Sequence, residues 1–196
     1  MNVRLVRFCG YFGVGAPVLG LTMVLLAIST APWFSWTANA LSDLGVYGFT
    51  ALIFNSSIQM TAIIMSFFSL GIYELTKGNR IGTLGFVLNL AGAGFLLGIA
   101  AFPETAGPIH YQFSVAFFVT LPISLLVLSL NMKRIGMGRL SLFTAAAGAT
   151  ALLVWTPRWE AVAIPEFLSA LAVGLWSIVL GARMTRMRAR NGEGNA

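Results

Sequence analysis

Six runs of apolar residues, each separated from the next by a short polar break, leave this chain few ways to fold. They cover Phe8 to Ile28, Tyr47 to Tyr73, Ile81 to Ala101, Tyr111 to Leu130, Leu140 to Trp155 and Ile164 to Ala182. A helix rising ~1.5 Å per residue needs roughly 17–25 residues to cross a ~30 Å hydrocarbon core. The second run is long enough to tilt or project, and the fifth is the shortest. All are continuous, unlike the alternating ~10-residue segments of a membrane barrel, and a helix satisfies its own backbone polar groups in lipid. The expected fold class is therefore all-α: a polytopic bundle of six transmembrane helices over residues 1–182, with a basic tail, 183–196, expected to be disordered.

Charge sets the orientation. Only 9% of the 196 residues are charged, against roughly a quarter in soluble domains. Of the 12 basic residues, all but Arg158 lie before the first run, between the second and third, between the fourth and fifth, or after the sixth. The positive-inside rule makes that side cytoplasmic and places both termini there, as an even number of spans requires. A cell membrane is the expected location. The net charge of +6 thus reports topology, and no nucleic-acid partner is expected, because no basic strip is interleaved with exposed aromatics. Arg4 and Arg7 precede an apolar stretch longer than the ~7–15 residues of a cleavable signal, which reads as an uncleaved anchor. The lone Cys9 allows no internal disulfide.

The acids sort the other way. Asp43, Glu104, Glu160 and Glu166 lie in or beside the opposite breaks, as does the sole histidine, His110; only Glu74 and Glu193 are cytoplasmic. Trp33, Trp36, Trp155 and Trp159 sit at the same level, as an interfacial belt would. As a short helix, Ser35 to Gly45 would set Asn39, Ser42 and Asp43 on one face and Ala38, Leu41 and Leu44 on the other, an amphipathic collar at the membrane surface. A second polar stretch, Phe102 to Gln112, supplies Glu104 and His110, with Gly107 and Pro108 restricting its geometry. In the second span Asn55 and Gln59 are one turn apart, a polar face expected to turn inward. The third span carries Gly82, Gly85, Gly92, Gly94 and Gly98, which predicts close helix approach and a central place in the bundle.

The order Ser42-Asp43-Leu44-Gly45, Leu52-Ile53-Phe54-Asn55, Phe102-Pro103-Glu104 and His110 resembles the small membrane family catalogued as domain of unknown function 998, over roughly residues 8 to 180. The resemblance implies six membrane helices and no settled activity. It directs attention to Ser42, Asp43, Asn55, Glu104 and His110.

Three functions are weighed. The preferred one is a pocket facing away from the cytoplasm, lined by Asp43, Asn55, Gln59, Glu104 and His110, that binds or transports a lipid or small polar ligand. The second is a membrane hydrolase acting on lipid, with His110 as general base, Asp43 or Glu104 orienting it, and Ser42 or a water as nucleophile. The third is a structural subunit packing on a partner through Gly94 and Gly98. Plainer roles compete at each residue. Ser42 and Asp43 suit the cap and first turn of the second span, and His110 suits an interfacial hydrogen-bonding group. Pro103-Glu104 and Pro165-Glu166 suit ordinary helix starts, and Glu166 is read that way. One histidine rules out bis-histidine haem and three-histidine zinc. No metal or cofactor is assigned, an oxygen-rich site of Asp43, Glu104 and His110 being the one metal reading left open.

Overall fold

The computed structural model describes residues 1–188, and no strand occurs among them. Six helices follow one another: α1 (Val3–Ser29), α2 (Gly48–Thr76), α3 (Arg80–Ala101), α4 (Pro108–Arg134), α5 (Gly138–Leu153) and α6 (Ala163–Thr185). Short 3-10 helices lie between α1 and α2 (Leu41–Gly45) and between α3 and α4 (Glu104–Ala106). These are the six expected spans, mostly lengthened by a few residues. The tail expected at 183–196 begins as the last turn of α6, and 189–196 lie outside the described residues.

The breaks after α2, α3, α4 and α5 are short enough to make consecutive helices antiparallel neighbours. Each helix packs on the next, and α6 returns to α1, so the bundle is a ring in sequence order. Two of the turns need a left-handed backbone, supplied by Gly78 (φ +91°) and Gly136 (φ +80°). Asn79 caps α3 by accepting from the Ile81 and Gly82 N–H groups at 3.0 and 3.2 Å. The Asn2 N–H donates to Glu74 Oε2 at 2.8 Å, and Arg7 Nε donates to the Thr185 carbonyl at 3.2 Å. The start of α1, the end of α6 and the basic turns therefore share one end, the basic end; Asp43, Glu104 and Glu166 share the other, the acidic end.

Five of the helices are long and apolar enough to cross a membrane. The exception, α5, has 16 residues and a length of ~24 Å. Large apolar side chains such as Val18, Leu52, Leu84, Val119 and Leu175 cover the outside of the ring, where a water-soluble helix would be polar. The chain is an integral membrane helical bundle.

Polar side chains instead join the helices internally. Asn89, wholly buried, accepts from Ser69 at 2.8 Å and donates to Ser124 at 3.3 Å, linking α3 to α2 and α4. Trp176 Nε1 donates to Thr144 Oγ1 at 3.0 Å, linking α6 to α5. Pro17 has no N–H, which frees the carbonyl of Gly13 four residues earlier. Ser177 of α6 donates to that carbonyl at 2.7 Å.

The α1–α6 seam brings backbone against backbone. A Cβ at Gly10 would lie 2.7 Å from the Gly181 carbonyl oxygen, and one at Gly181 would lie 2.6 Å from that of Gly10. The glycine-rich α3 is one wall of the ring rather than its centre. Its Gly98 is covered by the Phe113 ring, whereas Gly94 faces outward with nothing near a Cβ.

Candidate functional site

The segment expected as a surface collar is instead a plug. Only Leu41–Gly45 is helical, in 3-10 form, and Leu41, Ser42, Leu44 and Gly45 are all buried. Five residues of 3-10 helix cannot separate a polar from an apolar face over two turns, and the piece packs among α1, α2, α6 and the second 3-10 helix. Ser42 does not cap α2, whose N-cap is Tyr47 without a side-chain bond. Asp43 Oδ2 accepts from Asn39 Nδ2 at 2.7 Å and from the Ala40 N–H at 3.0 Å, fixing the start of the plug.

The plug is tied to α6. A helix start leaves its first N–H groups without partners, and here the Leu41 N–H donates to Glu166 Oε2 at 2.6 Å. The Ala163 N–H, opening α6, donates to the Asn39 carbonyl at 3.0 Å. Glu166, read from sequence as an ordinary helix start, is thus a buried acceptor that pins the plug. The echo of Pro103-Glu104 in Pro165-Glu166 was the one signal pointing to it.

The sequence expectation that the two polar stretches meet is met by Asp43 and Glu104. The two carboxyls stand close enough for each to act on the other's titration, and Ser42 Oγ donates to Glu104 Oε2 at 3.4 Å. Partial burial, then the hydrogen bond to Asp43 and its charge, push Glu104 from 4.5 up to about 7. Burial also works against an ionised Asp43, but hydrogen bonds from Glu104, Asn39 and Ala40 together hold it below its ordinary value. The pair shares one proton near neutrality. Because Glu104 is raised, the folded protein binds more protons than the unfolded chain between pH 4.5 and about 7. Stability from this group is present below that window and lost as pH rises through it. The thermal midpoint in detergent should therefore fall across the window. Glu104→Gln, whose amide donates to Asp43 as the protonated carboxyl does, should flatten the fall; an unchanged pH profile in the variant would refute the assignment.

His110 is buried but turned elsewhere. Its Nδ1 donates to the Phe102 carbonyl at 2.7 Å, and its Nε2 lies 3.3 Å from Ser114 Oγ. Among the described residues it makes no hydrogen bond to Asp43 or Glu104. Asn55 Nδ2 donates to the Gly45 carbonyl at 2.8 Å and holds the plug against α2. Gln59 is exposed on the outer face of α2, contrary to the expected inward polar face. Among the described residues no three His, Cys, Asp or Glu side chains are grouped to hold a metal, so Asp43, Glu104 and His110 do not form the oxygen-rich site considered from sequence.

Beneath the plug lies a cavity of about 140 Å³. It runs between α1, α2, α3, α4 and α6, with Ser42 and Glu166 at the acidic end, Asn89, Phe68 and Trp176 deeper, and apolar walls including Val24, Phe54 and Phe167. No α5 residue lines it. Thr61 also lines it, and its Oγ1 is buried without a hydrogen-bond partner. Of the five residues expected to line a pocket, Asp43, Asn55, Gln59, Glu104 and His110, none borders this cavity; Ser42, expected as a helix cap or a nucleophile, does.

No curated protein and no solved structure matches the chain. One family profile does, that of Protein of unknown function (DUF998), over residues 14–183. The matched stretch begins inside α1 and ends in the last turns of α6, taking in the plug, the carboxyl pair and the whole cavity, and the chain belongs to the DUF998 family.

Proposed function

We propose that this is an intramembrane binding protein whose cavity takes the apolar body of a small amphiphile, with its polar head at the acidic end. One observation carries the reading: a cavity of about 140 Å³ between five helices, walled by apolar side chains and bordered by a single buried carboxyl, Glu166. A cavity of roughly 150 Å³ holds a benzene-sized group, and few, well-placed polar atoms in an apolar wall are the usual build of a ligand site. By the positive-inside rule the acidic end faces away from the cytoplasm of a cell membrane, so the ligand enters from the outer leaflet.

Binding is favoured over conduction because the interior towards the basic end is filled by fully buried Phe68, Ile72, Leu125, Leu128 and Met184. It is favoured over lipid hydrolysis because the imidazole of His110 is engaged by a backbone carbonyl and Ser114, while Ser42 bonds to Glu104. It is favoured over a purely structural subunit because Gly98 is spent on Phe113 within the chain.

The test fills the cavity from α6, where Ala170 lines it. With para-fluorotoluene as probe, fluorine NMR of the full chain in nanodiscs should give a bound resonance distinct from probe dissolved in lipid. Ala170→Phe should abolish it without lowering the thermal midpoint, because the added ring occupies the void. An equally strong bound resonance in the variant would place the probe elsewhere and sink the reading.

A further inference from the structure

The acidic end carries three carboxyls, Asp43, Glu104 and Glu166, and none has a basic partner: the one salt bridge among the described residues joins Lys77 to Glu74 at the basic end. Asp43 and Glu104 answer one another by sharing a proton. Glu166 does not. It is only 8% exposed, it borders the cavity, and one of its oxygens accepts from the Leu41 N–H. Its other oxygen, Oε1, has no hydrogen-bond partner among the described residues. The charge of the Asp43–Glu104 pair reaches it and adds to the negative potential there. In its ionised form a carboxyl this buried, with spare acceptor capacity and two acidic neighbours, favours a cation that pairs with it.

We propose that Glu166 anchors a protonated amine, and that the ligand of the cavity is accordingly a cationic amphiphile: one ammonium on a small apolar body. The inference rests on the binding function proposed above and adds the chemistry of the head. An ammonium has three N–H donors and no acceptor, which suits a rim made of acceptors. Glu166 supplies the charge, and Ser42, adjoining Leu41 and bordering the same end, supplies a hydroxyl oxygen. The apolar body lies against Val24, Phe54 and Phe167. An alcohol of the same shape makes a hydrogen bond without the charge attraction. A carboxylate meets three acids and is repelled.

Matched probes test this on the full chain in phosphatidylcholine nanodiscs by fluorine NMR: para-fluorobenzylamine, para-fluorobenzyl alcohol, para-fluorotoluene and para-fluorobenzoate. The amine should bind wild type about tenfold more tightly than the alcohol or the toluene, a gap of about 1.4 kcal/mol, and the benzoate should give no bound signal. Glu166→Gln keeps an oxygen for the Leu41 N–H and should bind the amine no better than the alcohol, its melting transition serving as the check that it folds. Equal binding of amine and toluene by wild type, or an amine preference that survives in folded Glu166→Gln, would overturn the anchor and leave the cavity reading standing. Failure of every probe to bind would overturn both. Ammonium groups reach this leaflet on lipids as well as on free amines, so phosphatidylethanolamine is then added to the nanodiscs. Displacement of the bound amine assigns the site to a lipid head, and retention assigns it to a free amphiphile; either result upholds the ammonium site.

Discussion

Gly181→Leu should leave no folded, monodisperse protein, whereas Gly94→Leu should elute and melt like wild type. Both change a glycine to the same residue on an apolar helix, so propensity and hydrophobicity are matched. What differs is what the new side chain meets. At Gly181 a Cβ would lie 2.6 Å from the Gly10 carbonyl oxygen and 2.9 Å from the Gly13 carbonyl carbon, atoms that cannot rotate aside as a side chain can. Inserting bulk into a packed core costs typically 1–3 kcal/mol even where neighbours yield. Here the only relief is to part α1 from α6, which also breaks the Ser177 bond to the Gly13 carbonyl. The ring then has two free edges. At Gly94 nothing lies within 4 Å of a Cβ, and surface changes of that kind fall within about 0.5 kcal/mol. Size exclusion in detergent with thermal melting reads the contrast. A Gly181→Leu protein that melts with wild type would mean that the two helices do not touch as described.

Trp176→Ala is the second large effect. Trp176 is 1% exposed, its ring meets Phe68 edge-on at 5.9 Å, and its Nε1–H is held by Thr144. Truncating a buried tryptophan costs about 3–5 kcal/mol through lost contacts and the void left behind. Because Trp176 borders the existing cavity, the new void joins it and can be refilled from outside. Saturating para-fluorotoluene should therefore restore part of the stability, about 2.7 kcal/mol at a hundredfold excess over its Kd, while raising the wild-type midpoint less. Rescue equal in the two proteins, or none in either, would argue that the indole does not floor a ligand-sized space.

The architecture was legible because lipid leaves little choice: long apolar runs become helices, and short breaks make each the neighbour of the last. The meeting of Asp43 with Glu104 was legible too, since charge had already sorted both acids to one end. Direction within a helix was harder. Asn55 and Gln59 stand one turn apart and should share an environment, yet Asn55 is sheltered and Gln59 exposed. The shelter comes from the 3-10 plug lying over Asn55 through Gly45, and the plug does not reach the next turn. His110 had a readable partner in Ser114, four residues on, but a backbone carbonyl such as that of Phe102 announces nothing in a side-chain pattern. Glu166 was missed for a similar reason. Its partner is a peptide N–H 125 residues away, and an acid after proline at a helix start has an adequate local explanation. The Gly10–Gly181 seam likewise joins helices at opposite ends of the chain, beyond any short motif.

That seam bears on how the cavity comes to exist. Apart from a small α4–α6 contact, every other helix contact in the ring joins consecutive helices, so a nascent chain delivering them in order leaves a trough with one missing side until α6 arrives. The void is thus completed only when α6 docks on α1, so the order in which the helices emerge decides when a ligand first has a place to bind.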